Sequence, residues 1–288
     1  MSFSTTPSAA SHPEPDSASV FTFDFQALED PGEGQRWSTW DTIERLCHGP
    51  EPRPDWVVTG SALDTELGVL KTGKEADVFL IERTSTNDPE RTVVMAAKRY
   101  RNEDHRTFHR NNTYTEGRRT RNSRDTRAMA KGSEHGKAVA AGQWAGAEWE
   151  ALKTFWSQGI PVPYPVQIDG TEILMEFVTG PDGAGAPRLA QARTTPALLQ
   201  TWFDQLRDAM VGLVRAGFAH GDLSPYNILA AGERLVVIDL PQAIDVIGNP
   251  QGMDFLHRDC RNVARWFSSK GHEVDEETLF ADLVAYAY

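Results

Sequence analysis

Cysteine is scarce. Cys47 and Cys260 lie far apart and in no metal-like spacing, so neither a disulfide framework nor a thiolate metal site is expected. Two free thiols in a reducing compartment are the simplest account. Long apolar runs are missing too: no stretch reaches the roughly eighteen residues that a membrane helix needs. Met1 to Asp16 carries no basic start followed by an apolar run, so no signal peptide is expected. The expectation is a cytoplasmic protein with no membrane contact. Positive charge is not in excess either. A net charge of −12 argues against a generally basic nucleic-acid binder, though not against a local basic patch. What is present, 40% apolar residues along 288, suffices for one large domain or two lobes sharing a cleft.

Residues 1–34 are rich in Ser, Thr, Pro and Ala and read as a disordered tail, with Phe21, Phe23 and Phe25 as a short docking strand or simply an apolar patch. Trp37 to Cys47 has apolar residues at helical spacing, which predicts a helical extension over 35–60 before the first lobe. Arg101 to Lys137 is polar and basic. Arg118, Arg119, Arg121, Arg124 and Arg127 crowd together there, either as a solvated insert or as a loop that orders on RNA or an acidic protein segment. Asp169-Gly170 predicts a hairpin between two apolar strands. Thr195-Pro196 starts a helix that buries Leu199, Trp202, Leu206 and Met210 and runs to about Ala216. Two amphipathic helices, over 254–270 and 275–288, close the chain. His257 and Cys260 read as packing residues of the first.

Chemistry concentrates in His220-Gly221-Asp222-Leu223-Ser224-Pro225-Tyr226-Asn227. Asp222 stands five residues before Asn227, and a hairpin through Gly232 returns a second carboxylate, Asp239, toward them. Phosphoryl transfer from a metal-bound nucleotide uses such a set: one group for the acceptor, two oxygen ligands for magnesium. Upstream, Gly68 to Lys74 has the spacing of a P-loop. Position 75 is Glu rather than Ser or Thr, and a strand follows where that motif needs a helix. Strand, phosphate-covering turn and strand is the better reading, with Gly73 allowing close backbone approach. Lys98 ends an apolar strand, the place for a lysine that pairs the nucleotide phosphates. Glu148, on the apolar side of a helix over 143–157, is its expected partner, with Glu150 as competitor. The strand Ile173 to Val178 then exits toward a hinge whose backbone can meet an adenine edge.

Four motifs carry a resemblance. Lys71-Thr72-Gly73-Lys74-Glu75-Ala76, Ala97-Lys98-Arg99-Tyr100, His220 to Asn227 and Ile238-Asp239-Leu240-Pro241-Gln242-Ala243 resemble the RIO family of atypical serine/threonine protein kinases, above all its first subfamily. Asp254 to Val263 resembles that subfamily's C-terminal helix. The resemblance implies an α+β, bilobal, trimmed protein-kinase-like fold: a β-rich lobe over 61–178, carrying the basic loop at about 101–137, and a helical lobe over 179–288. It implies ATP with Mg2+, or Mn2+ in its place. By motif position Asp222 is the catalytic base, Asn227 and Asp239 hold the metal, and Lys98 with Glu148 holds phosphates. Thr72, Gly73, Lys74, Glu75 and Val78 cover the nucleotide, and Glu176 and Val178 meet adenine. Family members can also form an aspartyl-phosphate, which gives Asp239 a second role as transient acceptor. Pro225 and Pro241 depart from the family pattern, each removing a backbone donor. Two other functions fit the same residues: a nucleotide-gated assembly factor on RNA or a ribonucleoprotein, and a small-molecule phosphotransferase of the aminoglycoside or choline kinase type.

Overall fold

The computed structural model describes residues 31–101, 134–241 and 243–287, with the backbone alone for 134–138. Strands β1 (Gln35–Trp37), β2 (Ala62–Thr72), β3 (Ala76–Ser85) and β4 (Thr92–Tyr100) precede helix α1 (Glu134–Ser157). Strands β5 (Pro165–Asp169) and β6 (Glu172–Glu176) precede α2 (Pro196–Arg215). Strands β7 (Phe218–Ala219), β8 (Ile228–Ala231), β9 (Arg234–Val237) and β10 (Ile244–Asp245) then lead to α3 (Gly252–Ser269) and α4 (Glu276–Val284). The first six strands form one antiparallel sheet in the order β1-β2-β3-β4-β6-β5. The expected α+β, kinase-like arrangement of a sheet-built lobe and a helical part is therefore observed.

One apolar cluster runs from α1 through the helical part, joining Trp149, Leu152 and Phe155 to Trp202, Leu206 and Phe267. Each such buried side chain contributes about 1.5–3 kcal/mol. A smaller cluster, with Trp40, Val57, Ile81, Met95 and Tyr164, lies on the other face of the sheet under the segment that precedes β2. A fully buried Arg83 crosses that face. Its guanidinium donates to both Asp64 oxygens (2.6 and 2.8 Å) and to Gln167 Oε1 (2.8 Å), and Gln167 Nε2 donates to Thr39 Oγ1 (2.9 Å).

Two expectations need correction. Order begins before residue 35: Gln35 N–H donates to Gly32 O, and Gly34 O accepts from Glu66 N–H. The helical extension over 35–60 is not formed. Gln35–Trp37 is a strand paired with β2, and Arg45–Cys47 is a single 3-10 turn. The helical spacing at 37, 40, 43 and 46 misleads because Trp40 alone is buried there, stacked on His48 at 4.1 Å, while Leu46 is 77% exposed. The prolines at 50, 52 and 54 then rule out a helix. The tail with its three phenylalanines and the arginines at 118, 119, 121, 124 and 127 lie outside the described residues.

Helix α2 starts as predicted: Thr195 Oγ1 accepts from Leu198 N–H at 3.2 Å, with Pro196 in the first turn. Its buried face grips the β8–β9 hairpin. Trp202 Nε1 donates to Gly232 O (3.1 Å), Gln205 Nε2 to Glu233 O (2.7 Å), and Gln205 Oε1 accepts from Leu235 N–H (3.1 Å). This fixes where the hairpin delivers Asp239.

Candidate functional site

Register across the sheet sets the first wall of the site. Val78 on β3 stands opposite Lys98 on β4, so both share a face, away from the Ile81–Met95 pair. Lys98 Nζ meets Glu148 Oε1 at 2.7 Å and Asp239 Oδ1 at 3.0 Å. Glu148 is buried at 2% exposure, whereas its competitor Glu150 points to solvent. The second Glu148 oxygen accepts from the Tyr100 hydroxyl. Burial alone would lower the Lys98 ammonium; the Glu148 and Asp239 carboxylates outweigh it and hold it above its ordinary value. The Lys98 charge in turn holds the Asp239 carboxyl below the usual carboxylate range, against burial. Burial pushes the Tyr100 hydroxyl well up, with Glu148 adding to it.

The second wall is the loop after β7. Asn227 Nδ2 donates to Asp222 O at 2.9 Å and lies 3.4 Å from Asp222 Oδ2. Asn227 O accepts from Ile238 N–H (2.9 Å), and the buried His220 ring meets Ile238 O (3.0 Å). The Asp222–Asn227 loop is thus laced to the residue before Asp239. Asp239 has φ 69°, the one left-handed non-glycine among the described residues. An Asp tolerates this at about 1–2 kcal/mol. Both unexpected prolines fit. Asn227 N–H bonds to Ser224 O and Ala243 N–H to Leu240 O, so Pro225 and Pro241 each take the second position of a β-turn.

The turn between β2 and β3, expected to cover phosphates, is tight. Gly73 N–H bonds to Ala76 O, and a Cβ on Gly73 would meet that oxygen at 2.6 Å. The Arg101 guanidinium grips Asp77, and this contact is the first cause that holds the Asp77 carboxyl low; the Thr72 hydroxyl also helps. Burial raises the Glu75 carboxyl, and Asp239 raises it further. Lys74 is exposed, and so is Thr72. At the hinge the Glu176 carboxylate is engaged, accepting from Tyr164 N–H (3.1 Å) and Arg234 Nη2 (2.8 Å). Val178 O accepts from Ala186 N–H (2.9 Å), while the Val178 N–H has no partner among the described residues.

One anchor escaped the sequence reading. Asp259 of α3 is 1% exposed and accepts from Gly221 N–H and Leu223 N–H, both at 2.8 Å. Asn262, one turn on, donates to Leu223 O (2.9 Å). Burial pushes the Asp259 carboxyl above its usual range, against the pull of His220 and the two N–H groups. The signal was available: an acid and an amide three apart on the apolar face of an amphipathic helix. His257 and Cys260 on the same helix behave differently. Cys260 is buried, its thiol pushed up to about 12 by burial, while His257 meets Glu277 Oε1 at 3.0 Å near the surface.

A lysine held by two acids, facing a loop with Asp222, Asn227 and Asp239, is a constellation for phosphoryl transfer. Comparison with known proteins agrees. The family model of the RIO domain matches residues 84–279. The chain is 35% identical over 224 residues to the RIO-type serine/threonine-protein kinase Rio1 of Haloferax volcanii, covering 78% of this chain and 70% of that one. It is 27% identical over 250 residues to the serine/threonine-protein kinase RIO1 of Saccharomyces cerevisiae, covering 79% of this chain and 49% of the relative. Among solved structures it is similar in fold to the Rio2 kinase from Chaetomium thermophilum, with TM-score 0.50, 20% identity, and coverage of 75% and 63%. The chain belongs to the RIO-domain family of serine/threonine kinases.

Proposed function

We propose that this chain transfers the γ-phosphoryl group of ATP to protein Ser/Thr hydroxyls, its own included, with Mg2+ or Mn2+. The observation that carries the reading is Lys98 joined to both Glu148 and Asp239 beside the Asp222–Asn227 loop. In this reading Lys98 binds nucleotide phosphate oxygens, with Glu148 holding it in position. The turn of Thr72, Gly73, Lys74 and Glu75 covers the phosphates. Val78 packs on the nucleotide, and the backbone of Glu176 and Val178 takes the adenine edge. Asp222 accepts the proton of the attacking hydroxyl.

The residues present fit a hard divalent ion. Asn227 Oδ1 and the second Asp239 oxygen have no partner among the described residues, and an all-oxygen donor set suits magnesium. Asn227 and Asp239 would hold it. Such an ion neutralises phosphate charge and favours in-line transfer. The small-molecule phosphotransferase reading is not favoured by the relatives, which are named protein kinases. Arg118, Arg119, Arg121, Arg124 and Arg127 are proposed to meet an anionic partner, RNA or a ribonucleoprotein. The cytoplasm is the proposed place of work.

Incubation with γ-labelled ATP and Mg2+ tests this, following free phosphate, label on the chain and label on a generic protein acceptor, with and without RNA. Asp222→Ala should lose about 10²–10⁴-fold in transfer rate while still binding ATP. Unchanged turnover in that variant refutes the role of Asp222. Acid-stable label marks Ser/Thr phosphate. Acid-labile label that disappears in Asp239→Asn marks an aspartyl-phosphate instead, and release of phosphate only on RNA addition favours the assembly-factor reading.

A further inference from the structure

Three residues form a row across the sheet. Lys71 of β2 stands opposite Val78 of β3, and Val78 opposite Lys98 of β4. Residues directly opposite in neighbouring strands share a face. Lys71 therefore projects to the side that Lys98 occupies, two strand spacings or roughly 10 Å away. A bulge makes this so. Val69 stands opposite Phe79, on the other face; the register shift between Val69 and Lys71 moves Lys71 to the Val78 side.

Arg188 comes from the opposite wall. The segment around it lies along the loop that follows Asp222. Ala190 N–H donates to Pro225 O, Ala230 N–H donates to Pro187 O, both at 2.9 Å, and Arg188 bridges Leu229. Burial and then Arg188 are the largest influences that lower the Lys71 ammonium; Asp239 opposes them and Lys98 adds to them. Lys71 thus lies within electrostatic reach of Arg188, Lys98 and Asp239 together.

The cations of this sheet are otherwise neutralised. Arg36 and Arg99 pair with Glu172, Arg83 with Asp64, Lys98 with Glu148 and Arg101 with Asp77. Lys71 and Arg188 have no ion pair among the described residues. An exposed Lys71 and a half-buried Arg188, both without an ion pair and in electrostatic reach of each other beside the Lys98–Asp239 pair, can hold one anion together. An acidic side chain of a protein acceptor would satisfy the charge, but the row places Lys71 with the phosphate-binding lysine rather than beyond it.

We infer that Lys71 and Arg188 form a second cationic clamp on the polyphosphate tail of the nucleotide. The inference rests on the ATP reading above, and nothing in the family comparison assigns either residue. Equilibrium titration of the full chain with ATP, ADP and adenosine in Mg2+ tests it, using Lys71→Ala, Arg188→Ala, the double variant and Arg188→Lys. The double variant should lose roughly tenfold or more in ATP affinity, with a smaller loss for ADP and adenosine unchanged. Arg188→Lys should keep most of the affinity. Unchanged ATP affinity in the double variant overturns the clamp, as does an equal loss for adenosine. Full ATP affinity with weakened phosphorylation of a protein acceptor also overturns it, by assigning the cations to the acceptor. A wild-type chain that prefers ATP to adenosine, with a double variant that keeps that preference, refutes the clamp alone; a wild-type chain that binds neither refutes the nucleotide reading and the clamp with it.

Discussion

The two faces of the six-stranded sheet each carry an ion-paired cation, Arg83 fully buried and Lys98 partly so, and the two are treated differently. On one face Arg83 is sealed: both Asp64 oxygens and the Gln167 amide oxygen engage each of its three nitrogens, and it has no exposure. On the other, Lys98 meets two acids, one buried and one 43% exposed. The sealed cation ties chain segments together and has nothing left to bind. The open one stays charged because of Glu148, and its second partner, Asp239, is itself open to solvent, as the proposed exchange for a phosphate oxygen requires. A cation closed off among protein partners serves the structure; one with a solvent-exposed partner is the candidate site.

Breaking the sealed side should have the largest effect on the fold. Arg83→Ala leaves the buried Asp64 with only the longer Arg36 contact at 3.8 Å, a loss of about 3–5 kcal/mol in urea unfolding. ATP affinity of the folded fraction should stay within twofold; a variant that folds normally would erase the contrast. Next comes the anchor of the open side. Asp259→Ala frees the backbone of Gly221 and Leu223 and should lower kcat about 10²-fold, with little change in nucleotide affinity. Equal loss in both would mean that Asp259 serves the fold rather than the loop. Tyr100→Phe strips one Glu148 oxygen of its donor, worth about 1–3 kcal/mol. Its effect should be non-additive with Glu148→Gln in a double-mutant cycle of stability. The smallest effect is on pH. Asp239 has a folded pKa below its ordinary 3.8, so its contribution is present above that value and is lost as pH falls through the lowered one. Asp239→Asn should therefore flatten the acid limb of Tm against pH below about 4. An unaltered limb would show that Lys98 does not hold Asp239 in solution.

Much of this was legible beforehand because its signals are local. The Asp169-Gly170 hairpin, the cap and stripe of α2 and the Asp222, Asn227 and Asp239 spacing each lie within one short window. Glu148 was legible because an acid one turn from Trp144 on an apolar face needs a cation. What was not legible depends on distant pairing. The strands β7 and β10 have two residues each, too short for any pattern, and exist only through pairing of Ala219 with Ile244 and Phe218 with Asp245. Helix α1 begins nine residues before the position expected, since Ala138 to Gly142 is an unbroken apolar run of Ala, Val and Gly and shows no stripe. Asp259 went unread because its partners are backbone groups in another part of the chain.

That anchor sets an order in time. The Asp222 loop is fixed by a side chain 36 to 38 residues downstream of its partners. At about 5–20 residues per second, a ribosome makes that stretch roughly 2–8 seconds after the loop itself. Until α3 has emerged and docked, the growing chain holds its reactive groups without the brace that aligns them. The loop proposed to carry the chemistry is therefore among the last parts of the fold to be completed.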